Sequence, residues 1–334
     1  MKQFFSLNLR GRDVVWPMLG WWLLTVLYVL GIVVRLLAAP ESGMTVVDWE
    51  FALHLLVGFA LHTAFGVGVA LVLLPVMKRS IGALSYGGES FECDYSIRQY
   101  VGLVVGGVAL TVLTCGLYLP WFITRLMRFF CEGVSHSFHL MTFRGKAMRL
   151  FAISILTLVL PVVAVVALAQ HSDLLDPTKF SFDMMSFGPL LGLGVVLLEI
   201  FCVSLFVVLL YRWWEDVTYG DKVVTTRMPL LSATGFVVWQ GVLSLLTAGL
   251  YAPMASLRMM QYVAERSVVV GADGEEKRLG LRLRSWRDWA WMWGQMLLLV
   301  VTFGIYLPWF YAKTMNRFGG RLYVEEPRSI WKSR

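Results

Sequence analysis

The sequence predicts an α-helical integral membrane protein with four spanning helices, three further apolar helices broken at Gly and Pro (re-entrant or kinked), and small cytoplasmic β-hairpins. Three observations carry that expectation. The composition suits a bilayer, one short motif occurs three times, and the basic residues gather on one side of a topology that respects the motif.

Of the 334 residues 58% are hydrophobic and 15% charged, with a mean hydropathy of +0.68. Soluble domains carry about 25% charged and 45–50% apolar residues. An ordinary cytosolic enzyme, a disordered chain and a secreted disulfide scaffold are thereby excluded. The net charge of +7 fits cytoplasmic loops rich in Lys and Arg. No nucleic-acid motif accompanies it, so no nucleic-acid partner is expected. Cys93, Cys115, Cys131 and Cys202 form no C-x-x-C pair and no metal-ligand spacing, and neither metal nor cofactor is expected.

The first apolar run, 16–38, is longer than a signal-peptide core of about 7–15 residues and reads as a retained helix. Others follow at roughly 51–77, 99–120, 150–170, 187–211, 233–253 and 288–308. A spanning helix needs about 20 apolar residues.

The motif appears first as Thr114, Gly116, Tyr118, Pro120 and Trp121, with Arg125 four residues on. It returns as Thr247, Gly249, Tyr251, Pro253 and Arg258, with Met254 in place of Trp, and as Thr302, Gly304, Tyr306, Pro308, Trp309 and Lys313. The 133-residue shift from Thr114 to Thr247 also carries Arg79 onto Arg212 and Tyr86-Gly87 onto Tyr219-Gly220. The expected organisation is a repeat unit over 1–149, a second over 150–266, and a partial third over 267–334 that lacks the two long helices. Each linker holds a turn about 28 residues before its Thr: Tyr86-Gly87-Gly88, Tyr219-Gly220-Asp221 and Asp273-Gly274. Such dipeptides favour hairpins. The alternation of Phe91, Cys93 and Tyr95 with Glu92 and Asp94, and of Leu279, Leu281 and Leu283 with basic residues, has the period of strands.

If all seven runs crossed, Arg125, Arg128, Arg144, Lys146, Arg149, Arg212, Lys222, Arg227 and the basic tail would lie outside, against the usual bias. If the three motif runs return to the side they left, the outer loops keep only Arg35 and Lys179 of the 29 Lys and Arg, and both termini are cytoplasmic. Val101 to Thr114 is 14 residues, roughly 21 Å of helix. That is short of a hydrocarbon core of about 30 Å. Gly then permits a helix end and Pro stops the ladder. The charge distribution favours re-entry over the alternative of kinked spanning helices.

The pattern T-x-G-[IL]-Y-x-P-W-x-x-x-[RK] resembles the YjgN-like family of uncharacterised bacterial inner-membrane proteins. Thr114, Gly116, Tyr118, Trp121, Arg125, Arg128 and Phe129 carry the resemblance; Met254, Gln261 and Asn316 depart from it. The resemblance implies a multi-pass inner-membrane protein and brings no activity with it.

Glu199, mid-way along 187–211, is the foremost candidate polar site, because a carboxylate at that depth costs about 2.5–3.5 kcal/mol or more unless protonated, paired or hydrated. It reads either as a proton or cation site or as a protonated acid bonded within the bundle. His54 and His62 lie about 80° apart on their helix, and His62 approaches Glu199 only if those segments pack. Gly102-x-x-x-Gly106 allows close helix approach, within the chain or in a homo-oligomer. Nucleophile elbow, P-loop and dinucleotide fingerprint are all missing, so no enzyme is expected. Internal duplication and broken helices lean the functional expectation toward a transporter- or channel-like protein for an unknown small solute or ion. The alternative is a non-enzymatic scaffold binding anionic lipid of the bilayer, or a protein, through its basic cytoplasmic face.

Overall fold

The computed structural model describes residues 2–37, 49–171 and 182–325. In chain order the helices are α1 (Gly11–Leu37), α2 (Trp49–Gly82), α3 (Ile97–Leu113), α4 (Leu119–Glu132), α5 (Ala147–Ser154), a π segment (Ile155–Val159), α6 (Leu160–His171), α7 (Phe182–Trp214), α8 (Leu230–Leu246), α9 (Ala252–Ala264), α10 (Ser285–Val301) and α11 (Leu307–Gly319). The strands are β1 (Lys2–Phe4), β2 (Ser6–Leu7), β3 (Leu84–Tyr86), β4 (Glu89–Ser90), β5 (Glu92–Cys93), β6 (Val134–His136), β7 (His139–Phe143), β8 (Val217–Tyr219), β9 (Lys222–Thr226), β10 (Ser267–Val270), β11 (Glu276–Leu281) and β12 (Leu322–Glu325).

Four helices are long and apolar enough to cross a membrane: Gly11–Val34, Ala60–Gly82, Ala147–Ala167 and Leu193–Trp214. They fall on the four runs expected to span. The first begins at Gly11 rather than Trp16, because Asp13 caps its polar start: the Arg10 backbone N–H donates to Asp13 Oδ2 at 3.0 Å. The third contains the π segment, where Thr157 is buried and donates to the Ile153 carbonyl at 2.6 Å. Residues 38–48 and 172–181, expected as the outer loops, lie outside the described residues, as does the tail after Glu325.

The expected hairpins form at their turns. Gly87 and Gly88 both take positive φ (65° and 90°) between Tyr86 and Glu89, which pair. Tyr219 pairs with Lys222 across Gly220-Asp221, and Val270 with Glu276 across the Asp273-Gly274 loop. The expectation of small hairpins alone falls short, however. Among the described residues nine strands form one sheet in the order β1-β12-β11-β10-β9-β8-β7-β6-β5, and β2-β3-β4 form another. Strand pairs that flank a helix pair join neighbouring hairpins edge to edge, which blunts the exposed edges each hairpin would present alone.

The chain divides into two compact units: Met1–Lys2, Thr142–Trp289 and Tyr323–Arg334 in unit 1, and Gln3–Met141 with Ala290–Leu322 in unit 2. In unit 2, α1 and α2 run antiparallel and close together where side chains are absent. A Cβ on Gly31 would stand 3.0 Å from Leu61 Cδ2, and one on Gly68 2.9 Å from Leu24 Cδ1. Close backbone approach through small residues is how helices gain packing in lipid. A core of Leu74, Tyr95, Tyr100, Val104, Phe130 and Val134 ties α2, α3 and α4 together. In unit 1, Val208, Met228, Ala233 and Val263 join α7 to the α8–α9 pair. Trp213, fully buried, donates from Nε1 to the Lys146 carbonyl at 3.1 Å.

Candidate functional site

Each motif builds the same turn between two helices. Thr ends the first helix, and its Oγ1 donates back to the carbonyl four residues earlier at 2.8 Å in all three copies. The same oxygen accepts the backbone N–H of the Tyr four residues on, at 3.0 Å for Tyr118 and Tyr251 and 3.2 Å for Tyr306. Gly116, Gly249 and Gly304 take φ of 89°, 85° and 87°, and the residue before each (Cys115, Ala248, Phe303) also lies in the left-handed region at 48–50°. A left-handed non-Gly residue costs roughly 1–2 kcal/mol. Repeating it three times shows how strongly the surrounding hydrogen bonds determine the turn. The glycine N–H closes it on the carbonyl five residues back at 2.7–2.8 Å. Pro120, Pro253 and Pro308 then sit in the first turn of the second helix, where a missing N–H leaves no bond unmade.

The two helices of each motif fold back on one another. Near the base of the first pair, Tyr100 meets Phe129 and Phe130 at ring distances of 5.4 and 5.7 Å, and Tyr95 donates to the Phe130 carbonyl at 2.9 Å. In the second, Phe236 stacks on Tyr262 at 4.3 Å; in the third, Trp291 meets Phe318 at 6.0 Å. Strands before and after each pair are sheet neighbours: β5 with β6, β9 with β10, β11 with β12. Each pair therefore leaves the sheet and comes back to it. The turns carry exposed apolar side chains, with Leu113 78%, Leu246 77% and Phe303 85% exposed.

The Tyr of each motif faces the basic residue seven positions later. Arg125 lies 5.8 Å from the Tyr118 ring centre, Arg258 5.7 Å from Tyr251, and Lys313 5.3 Å from Tyr306. Cations over aromatic faces gain about 0.5–2 kcal/mol. Trp121 and Trp309 lie nearly parallel to Tyr118 and Tyr306 at 6.3 Å. A further partner escaped the sequence reading. Tyr251 donates to Gln240 Oε1 at 2.9 Å and Tyr306 to Gln295 Oε1 at 2.7 Å. Both glutamines stand eleven residues before their Tyr, a spacing visible in copies two and three. In the first copy that position is Gly107, occupied in space by the Phe122 ring, and the buried Tyr118 hydroxyl has no hydrogen-bond partner. Tyr306→Phe is therefore expected to lower stability by about 1–2 kcal/mol, since Lys313 Nζ also donates to this hydroxyl at 2.8 Å. Tyr118→Phe is expected to be neutral or stabilising. Thermal midpoints of the two variants in mild detergent check the contrast.

The intramembrane candidates fall in different units. His62 belongs to unit 2, packs edge-on to Tyr28 at 5.3 Å and hydrogen-bonds the Gly58 carbonyl through Nδ1 at 2.5 Å. Glu199 belongs to unit 1, where its side chain is exposed on α7. Neither unit by itself brings the two together. His54 lies in α2 with its side chain outside the described ones. Among the described residues no group of three His, Cys, Asp or Glu is placed to hold a metal.

One acid outside the spans is strongly perturbed. Glu215, just beyond α7, is pushed up to about 7 by burial, against the opposing hydrogen bond that Ser267 Oγ donates to its Oε2 at 2.6 Å.

Residues 2–140, which include the first helix pair, match the family model described as a bacterial protein of unknown function, DUF898. The YjgN-like resemblance is thus borne out, since that family is DUF898. No curated protein and no solved structure matches the chain. The DUF898 match takes in α1 to α4 and the motif from Thr114 to Arg125, while the second and third motifs lie beyond it.

Proposed function

We propose that this bacterial membrane protein is a non-enzymatic scaffold that grips one leaflet of the inner membrane, its three helix pairs dipping in from the cytoplasmic side and turning back. One observation carries the reading. In unit 2, α11 runs antiparallel along the first half of α1: Leu9 N–H donates to Asn316 Oδ1 at 2.8 Å at one end, and Trp22 Nε1 to the Phe303 carbonyl at 2.6 Å at the other. The third turn therefore stops beside Trp22, about half way along the span Gly11–Val34. The apolar turns and the adjacent strands at the base of each pair support the same reading for the other two. Identical turn geometry in three places supports a duplicated unit, 1–149 and 150–266, with a partial third. The helix breaks that suggested transport then serve return of the chain, and Glu199 points out from α7 within its unit.

The test places a fluorophore on the native Cys115, in a variant whose other cysteines are Ala, and measures quenching by lipids spin-labelled at different acyl depths. Strongest quenching by mid-chain labels is expected, as is labelling of a Ser135→Cys base position from the cytoplasmic side alone. Reaction of Cys115 with an impermeant reagent outside intact cells would remove the re-entrant reading. Solute or proton flux in proteoliposomes that vanishes in Glu199→Gln would reinstate transport.

A further inference from the structure

Resting on that reading and naming its ligand, we propose that the exposed face of α4 around Arg125 and Arg128 binds the phosphate of an anionic phospholipid in the leaflet that the first helix pair enters. Trp121, Arg125 and Arg128 recur at the spacing of one helix face. Both guanidinium-bearing residues are exposed, and neither makes an ion pair among the described residues. Leu117 is exposed in the turn just before α4, and Arg125 stands six residues along that helix from Leu119, about 9 Å further on. Half a hydrocarbon core is about 15 Å. With Leu113 and Leu117 in the acyl chains, Arg125 rises to the lower edge of the headgroups and Arg128 one turn higher. Trp121 lies between, where an indole prefers to be. Two guanidinium groups one turn apart suit a phosphate, which accepts paired N–H bonds from each.

The other pairs lack this arrangement. In the second, Gln261 stands where Arg128 does and donates to Glu265 Oε1 at 2.9 Å, leaving Arg258 without its neighbour. In the third, the Lys313 ammonium is engaged by the Tyr306 hydroxyl, and Asn316 is held by both backbone groups of Leu9, at 2.8 and 2.6 Å. The site belongs to the first pair.

The experiment uses the full-length protein in phosphatidylcholine nanodiscs and measures binding of a spin-labelled phosphatidylglycerol. Arg125→Gln/Arg128→Gln is expected to weaken binding about 30-fold, the effect of removing two cations at an anionic surface. Lys313→Gln should change it less than about threefold, and Arg125→Lys/Arg128→Lys should fall between wild type and the Gln variant, because lysine keeps the charge but loses the paired N–H bonds. Unchanged binding in the Gln double variant overturns the proposal, as does an equal loss in Lys313→Gln. Displacement of the labelled lipid by millimolar inorganic phosphate would also overturn it, by making free phosphate the ligand. If the double variant does not fold, Arg128→Gln alone and the salt dependence of wild-type binding decide: no loss in either defeats the site. A deep Cys115 with unaltered lipid binding rejects this site alone, whereas a shallow Cys115 rejects the inserted-pair reading with it.

Discussion

Trp213→Ala is expected to lower stability by about 3–5 kcal/mol, the range for deleting a large aromatic side chain from a packed site. Trp213 is fully buried at the end of the fourth span. Its ring meets Phe143 edge-on at 4.9 Å, and its Nε1 bonds the Lys146 carbonyl just before α5 begins. It holds the end of α7 against the start of the third span, with Arg144 adding an ion pair to Asp216 at 3.7 Å. Gly145 is required there, since a Cβ would stand 2.9 Å from Trp213 Nε1. Trp213→Phe keeps part of the packing but strands the Lys146 carbonyl, at about 1–3 kcal/mol. Unfolding by added SDS in mild detergent measures both. A loss under 1 kcal/mol for the alanine variant would show that this corner does not hold the unit together.

Glu215 gives the second large effect, and it depends on pH. Its carboxyl is raised from an ordinary 4.5 to about 7 because burial disfavours the charged form. Below about pH 4.5 the acid is protonated in the folded and unfolded chains alike, and no stability hangs on it. Between 4.5 and 7 the unfolded chain releases its proton first, so stability falls as pH rises. Above 7 both forms are ionised and the folded state carries a cost of about 3 kcal/mol. Glu215→Gln should therefore match the wild type near pH 4.5 and exceed it by up to about 3 kcal/mol at pH 8. The Ser267 hydroxyl has one hydrogen for both Glu215 and the Val263 carbonyl, at 2.6 and 2.8 Å, so the bond offsets little of the burial cost. Parallel stability profiles of the two proteins from pH 5 to 8 would show that Glu215 is wetter than its surroundings imply.

The spans were legible because a run of about 20 apolar residues has few alternatives to crossing lipid. The motif turns were legible in kind: Thr, Gly and Pro each impose a local restriction that survives any tertiary context. Less legible was the left-handed residue before each glycine, as Cys115, Ala248 and Phe303 share no chemistry that asks for it. The β6–β7 hairpin was missed for the same reason, its turn being Ser137-Phe138 rather than glycine. Pairing of β5 with β6 joins residues about forty apart across two helices, and nothing local announces it. The role of Gln240 and Gln295 was hidden by Gly107, which breaks the spacing in the copy whose motif is otherwise most complete. The histidines show the reverse limit: intramembrane position drew attention to His62, yet its ring is engaged by Tyr28 and the Gly58 carbonyl.

The neighbouring strands at the foot of each helix pair make that pair a detachable cassette. Thr226 and Ser267 face one another across β9 and β10, so excising everything from Arg227 to Arg266 and splicing in a two-residue turn would leave an ordinary ribbon in the sheet. Such a molecule would keep its four long apolar helices and lose one helix pair, and a graded series of excisions would count how many pairs the cell requires.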